Sequence, residues 1–290
     1  MIISARLRLA RFALRAAMPL LAAATAAVAA EGPVSDWVGG YNSRVRLLAG
    51  IDSTQSGYRL VAGVEIETKP DWKTYWRNPG DAGVPPAFDW SKSTNVAKAT
   101  VLYPAPRRLV DKSGVTIGYL GRVMFPVLIT PSDPSKPVSL KLAVDYGVCK
   151  EICVPAQAEL TLDIAAGAAV PLPSGLAAAL DSVPRAQGKE RPGDPVVKSV
   201  AIELTSIPPR IVLEVALPVG VEARSIDAFL VAEDGGFMPL PAREAGAAAG
   251  ILRLVVDLSK DVDIKDLRGK TAFATITGPD GASEVAIVIK

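Results

Sequence analysis

The sequence predicts an all-β protein: two immunoglobulin-like antiparallel β-sandwich domains joined by a Pro-rich linker. Three observations carry this. Several segments alternate apolar and polar residues with period two, as half-buried strands do. Clusters such as Asn78-Pro79-Gly80-Asp81, Asp234-Gly235-Gly236 and Pro279-Asp280-Gly281 separate them with turn chemistry. One stretch, residues 167–195, holds Pro171, Pro173, Pro184, Pro192 and Pro195 and interrupts the pattern.

Residues 1–30 precede the fold. Arg6, Arg8, Arg11 and Arg15 form a basic region with no acidic residue, followed by the Ala-rich apolar run Ala16–Ala27. Ala27-Val28-Ala29 or Val28-Ala29-Ala30 then offers small residues for cleavage. This is the layout of a secretory signal peptide. The competing reading is a retained anchor, but the apolar run is broken by Pro19 and falls short of the roughly 20 residues a spanning helix needs. The mature chain is therefore expected to be exported and soluble, in a compartment where disulfides persist.

The strands follow. In the first domain, about 31–166, β-rich runs cover Tyr58–Glu67 and Val123–Thr130. Leu140, Leu142 and Val144 alternate with Lys141, Ala143 and Asp145, and Leu160, Leu162 and Ile164 with Thr161 and Asp163. The linker, 167–195, contains one short Ala-rich piece, Ser174 to Asp181, that reads as a helix with Ser174 as its N-cap. In the second domain, about 196–290, Ile211, Val215 and Leu217 alternate around Glu214. Further runs cover Val196–Leu204, Ala228–Ala232, Ile251–Leu258, Ala272–Thr277 and Glu284–Ile289. Both domains are near the ~100 residues of an immunoglobulin-type sandwich. No convincing repeat relates them.

Composition narrows the function. With 24 Gly and 24 Pro in 290 residues, the chain stays below the combined share of about 25–30% that signals disorder. There is no His, which excludes Ser-His-Asp and Cys-His nucleophiles, His-ligated zinc and His proton shuttles. Two cysteines are too few for a Cys-rich zinc site. The formal charge of +2 comes from the four N-terminal arginines; without residues 1–30 the balance is 28 basic to 30 acidic, about −2. Such a surface gives no footprint for nucleic acid. Asp257, Asp261, Asp263 and Asp266 do not follow the calcium-loop spacing, and lysines punctuate them, so they read as a solvated face.

What chemistry remains lies in Asp145-Tyr146-Gly147-Val148-Cys149-Lys150-Glu151-Ile152-Cys153-Val154-Pro155. The cysteines sit in a loop between two strands, and a turn across three residues can bring them within disulfide reach. Spacing alone leaves three readings. The pair can be a structural staple, although closing so short a loop stabilises by only about 2 kcal/mol. It can be a redox pair cycling between dithiol and disulfide. It can hold Cu(I) between two thiolates, with Met124 and Met238 the thioethers available to the mature chain. Lys150 is offset by Glu151 and is assigned no role.

A wider set of motifs bears on that choice. Trp72-Lys73-Thr74-Tyr75-Trp76-Arg77-Asn78-Pro79-Gly80-Asp81-Ala82-Gly83, then Tyr103-Pro104-Ala105-Pro106, Gly118-Tyr119, Phe125-Pro126-Val127, Tyr146-Gly147-Val148-Cys149 and Cys153-Val154-Pro155 occur in that order. Together they resemble the N-terminal periplasmic domain of the DsbD/ScsB thiol:disulfide interchange proteins, over about residues 40–166. The resemblance implies an immunoglobulin-like fold in the periplasm. It implies a redox role for Cys149 and Cys153, with Cys153 forming the mixed disulfide, and no cofactor. It implies electrons arriving from a membrane-embedded donor and leaving to periplasmic thiol/disulfide proteins. It also implies a cap loop shielding the pair, here about Asp111 to Gly121, with Tyr119 as the shielding ring and Tyr75 and Trp76 in a nearby aromatic cluster. Core or rim packing is the ordinary alternative for those two rings. Full-length members continue into membrane and thioredoxin-like domains, whereas this chain stops at Lys290. The cysteine spacing is also shorter than in the best-known DsbD members. The electron donor is therefore expected on a separate chain. A non-catalytic binding or assembly module with a structural disulfide, and a Cu(I)-handling protein, are the alternatives.

Overall fold

The computed structural model describes residues 32–53, 59–112, 114–167, 170–245, 248–259 and 262–290. The expected signal segment lies outside them, as do Tyr58 and Asp261. Among the described residues no helix is long and apolar enough to cross a membrane.

The first part of the chain supplies β1 (Val38–Gly39), β2 (Ser43–Asp52), β3 (Arg59–Thr68), β4 (Lys73–Gly80), β5 (Ala87–Asp89) and β6 (Val96–Val101). It continues with β7 (Arg107–Asp111), β8 (Gly114–Leu120), β9 (Arg122–Pro131), β10 (Val138–Cys149) and β11 (Cys153–Ile164). After α1 (Ser174–Asp181) come β12 (Arg185–Ala186), β13 (Val196–Glu203), β14 (Arg210–Ala216), β15 (Asp227–Ala232), β16 (Ala242–Glu244) and β17 (Ile251–Asp257). A short α2 (Ile264–Leu267), β18 (Thr271–Thr277) and β19 (Ala282–Val288) end it.

Two sheets face each other in the first sandwich: β1-β2-β3-β9-β6, and β11-β10-β4-β8-β7 with β5 also on β10. Strand parity decides what lies between them. Val45, Leu47, Val64, Ile66, Phe125 and Val127 come from one sheet, and Trp76, Ile117, Leu140, Leu142 and Val144 from the other. The second sandwich pairs β12-β19-β18-β15 with β13-β14-β17-β16 over Ile211, Leu213, Leu230, Leu254, Ile276 and Ile287. Antiparallel sheets facing each other in pairs give the predicted all-β class.

Two local expectations are corrected. Asn78-Pro79-Gly80 is not a free turn but the bulged end of β4, where the register with β8 shifts between Tyr75 and Gly80. Asn78 holds it there: its side-chain carbonyl accepts from the Gly80 N–H at 3.1 Å, and its amide donates to the Leu230 carbonyl at 2.8 Å. Helix α1 has the expected bounds, but Pro173 occupies its N-cap and no side chain caps it. Residues 170–195 also touch both sandwiches. Pro171 bridges to Ile51, and β12 joins the second sandwich parallel to β19.

The two sandwiches are tied through β4 and β7. The Trp76 ring lies 5.9 Å from that of Phe229. Arg77 donates to Glu284 and, at 3.3 Å, to Thr275 Oγ1. Arg108 grips Asp227 through Nε and its terminal nitrogen at 2.9 and 2.7 Å. Both faces of β4 are therefore covered, which matters for the site below.

Candidate functional site

The cysteines close a hairpin. β10 and β11 pair without a break from Val138–Ile164 to Cys149–Cys153, so Cys149 is the last residue of one strand and Cys153 the first of the next. The expected connecting loop shrinks to Lys150-Glu151-Ile152. The two sulfurs are bonded across a Cα separation of 4.1 Å. That spacing suits directly opposed residues of a ladder at a non-hydrogen-bonded position, where Cα atoms lie about 4.5 Å apart.

Strand parity places the pair on the outer face of its sheet. Leu140, Leu142, Val144, Tyr146 and Val148 alternate into the core, so Gly147 and Cys149 face out. Cys149 is nonetheless only 2% exposed, whereas Cys153 is exposed. The cover over Cys149 comes from β4, whose Lys73 is its cross-strand partner. Tyr75, two residues on, lies on the same face.

Tyr75 is the aromatic the structure brings to the pair. Its hydroxyl is 3.4 Å from Cys153 Sγ; a disulfide sulfur has no proton, so the phenol donates. The ring is 1% exposed and lies in a slot made by two glycines. A Cβ on Gly83, where φ is +124°, would come within 2.2 Å of Tyr75 Cε1, and one on Gly147 within 3.3 Å of Cε2. Val84 closes the slot, its carbonyl accepting the Gly147 N–H at 3.2 Å. Burial, and then the negative charge of Asp111, push the phenol up to about 12, so it stays a protonated donor at any physiological pH.

The other two expected rings lie elsewhere. Trp76 and Tyr119 sit on the opposite face of β4 and β8, in the core. Tyr119 donates to the Pro104 carbonyl at 2.8 Å and meets Phe125 edge-on at 5.5 Å. The register explains this: Tyr119 pairs with Thr74, whereas Tyr75 pairs with Gly118. Directly paired residues share a face, so Tyr119 cannot share one with Tyr75. Of the expected cap loop, Asp111 to Gly121, Asp111 ends β7 and Gly114–Leu120 form β8, paired with it. The hairpin reaches the site through Asp111, which accepts from Lys73 Nζ at 2.6 Å, beside a bond from Lys73 to Thr116 Oγ1 at 2.9 Å.

Lys73, Gly83 and Asp111 were not singled out from sequence as site residues. Gly83 carried the available signal, a second glycine three residues past a Pro-Gly, but its spacing does not reveal a ring beneath it. Lys150 pairs with exposed Asp71 at 3.2 Å, a surface contact of little energetic weight. The thioethers do not converge on the sulfurs: Met238 is buried in the second core, and Met124 packs beside Gly63 and Gly175. Among the described residues no three potential metal ligands of the His/Cys/Asp/Glu type cluster.

Comparison with known proteins adds to this geometry. A family model described as the N-terminal part of the thiol:disulfide interchange protein DsbD matches residues 46–165. Among solved structures, the N-terminal periplasmic domain of ScsB from Proteus mirabilis superposes with a TM-score of 0.65 at 20% identity, covering 88% of this chain and 98% of that one. At that identity the likeness shows the fold. No curated protein sequence matches. The matched stretch holds both cysteines, Tyr75 and the β7–β8 hairpin, and over residues 46–165 the chain carries the N-terminal domain of the DsbD thiol:disulfide interchange family.

Proposed function

We propose that the chain is a periplasmic thiol:disulfide exchange protein working through Cys149 and Cys153. One observation carries this: the pair is asymmetric, with Cys149 enclosed and Cys153 exposed under the Tyr75 hydroxyl. A staple gains nothing from such asymmetry, and the hairpin it closes is already paired along its whole length. Exchange uses it. In the reduced pair, the Cys153 thiolate attacks a client disulfide. A Cys153–client S–S bond forms, and the other client sulfur leaves as a thiolate. The Cys149 thiolate then attacks Cys153 Sγ, forming the intramolecular disulfide and releasing the second client thiolate. Two electrons pass from the pair to the client. A membrane-embedded dithiol donor reverses the sequence to re-reduce the pair.

Tyr75 serves this cycle as a positioning residue. A hydrogen bond donated to a thiolate favours the charged form, so the phenol lowers the cost of ionising Cys153. The burial of Cys149 behind β4 also keeps bulk oxidants from its sulfur. The test is trapping. Cys149→Ser should accumulate a mixed disulfide through Cys153 when offered periplasmic extract or a model disulfide protein, and Cys153→Ser should not. Equal trapping by both, or by neither, contradicts the assignment.

A further inference from the structure

β11 is the edge of its sheet, and its main chain at Cys153 faces outward. Three observations fix that direction. Pro155 stands opposite Gly147 and has no N–H to give. Gly147 sends both polar groups the other way, its N–H to the Val84 carbonyl at 3.2 Å and its carbonyl to the Thr74 hydroxyl at 3.0 Å. The Gly147–Pro155 pair is therefore not hydrogen-bonded. Neither, two residues along, is Cys149–Cys153, in keeping with its 4.1 Å Cα separation. The Cys153 N–H and C=O thus point away from β10, and neither has a partner among the described residues.

Pro155 removes the next outward donor, as edge strands commonly do to limit pairing. Farther along, Gln157 and Glu159 share the parity of Cys153 and line a groove with Val38 of β1. Next to the exposed sulfur, the complete donor–acceptor pair is that of Cys153 itself. Beside it Ile152 is 70% exposed.

We propose that the redox partner docks here by strand addition. An extended, cysteine-bearing segment lies along β11 with its cysteine opposite Cys153. The two residues exchange both main-chain hydrogen bonds, and an apolar neighbour rests on Ile152. The spacing suits the chemistry. Hydrogen-bonded antiparallel partners hold their Cα atoms about 5.5 Å apart, inside the range a disulfide spans. Directly opposed side chains leave the sheet on the same face, so the incoming sulfur is delivered to Cys153 Sγ. The proposal rests on the exchange reading above and specifies what that site recognises: backbone in extended form, with little dependence on side chains.

The test uses the full chain with Cys149→Ser, so that Cys153 is the single thiol. Two extended peptides are made, identical except for an N-methyl group on the amide of the cysteine. Each is coupled as an activated thionitropyridyl disulfide, which conjugates to an exposed thiol whatever its physiological role. Exchange of the Cys153 amide is then followed by NMR, and each conjugate is equilibrated against glutathione. The unmethylated conjugate should slow Cys153 amide exchange at least tenfold over the methylated one. It should also be favoured about five- to tenfold, the worth of one net hydrogen bond. Equal exchange and equal equilibria overturn strand addition. So does self-association of the unconjugated protein through this edge, which would assign it to a second copy. If wild-type protein fails to exchange with any dithiol, the redox reading falls, while the peptide comparison still decides whether the edge binds backbone.

Discussion

The Tyr75 hydroxyl donates to the Cys153 sulfur across 3.4 Å, from a ring that β4 directs to the opposite side from its neighbour Trp76. Adjacent aromatics thus divide the work. Trp76 joins the core and the second sandwich through Phe229, and Tyr75 covers the disulfide. The cysteines respond to that cover unequally, and this inequality can be measured.

Reduced protein should alkylate in two phases, with Cys153 modified first. Cys153→Ser should slow modification of the remaining thiol at least tenfold relative to Cys149→Ser, because Cys149 is enclosed. Timed quenching with a maleimide and mass spectrometry gives both rates. Equal rates would mean that the cover opens freely.

Gly83→Ala should disturb the slot most. Its Cβ would overlap the Tyr75 ring at 2.2 Å, at a φ of +124° that L-residues rarely adopt. Overpacking of this kind costs about 1–3 kcal/mol, and the left-handed backbone adds to it. Gly147→Ala meets Val84 at 3.1 Å and the ring at 3.3 Å, so its cost should be smaller. Urea unfolding ranks the two, and both variants should expose Cys149 to alkylation faster than wild type.

Tyr75→Phe should change the alkaline limb of stability. Burial and Asp111 raise the folded-state phenol to about 12 from its ordinary value of 10.0. The protonated form is thus favoured by folding. That contribution is complete below pH 10 and is lost as pH rises from about 10 to about 12. It amounts to on the order of 2 kcal/mol. Wild type should lose more stability across that window than Tyr75→Phe, and Asp111→Asn should move the Tyr75 phenolate absorbance to lower pH. The same Tyr75→Phe change should slow thiol attack by Cys153 near neutral pH and shift its pH–rate curve upward.

Much of the fold was legible because one-sided burial leaves a period-two trace. Leu140, Leu142 and Val144 mark β10, and Leu160, Leu162 and Ile164 mark β11, since one face of each meets the core and the other meets solvent. β4 left no such trace. Lys73, Thr74, Tyr75 and Trp76 are all buried, because the core and Phe229 cover one face and the Asp81–Val84 segment covers the other. For the same reason composition could not rank Tyr75 over Trp76 or Tyr119. Which face each ring takes depends on two registers, Lys73 with Cys149 and Thr74 with Tyr119, that form between distant segments. The cysteines were visible, whereas the inequality between them arises from packing.

Phe229→Ala tests how far the sandwiches act together. Phe229 is fully buried against Trp76, and removing such a ring costs about 3–5 kcal/mol. If the interface couples the two cores, tryptophan fluorescence and far-UV circular dichroism should both show earlier unfolding. The Cys149 cover should also loosen through β4. A change confined to the second sandwich would separate that contact from the site.

The central claim is that this disulfide turns over. Its most direct measure is the equilibrium reduction potential of Cys149–Cys153 in a glutathione series, read by alkylation and mass. A potential within the range of exchange proteins, about −120 to −270 mV, with reversible native-state reduction, is the expected result. A potential below about −300 mV, with no thiol appearing until the protein unfolds, would show a structural bond and contradict the account.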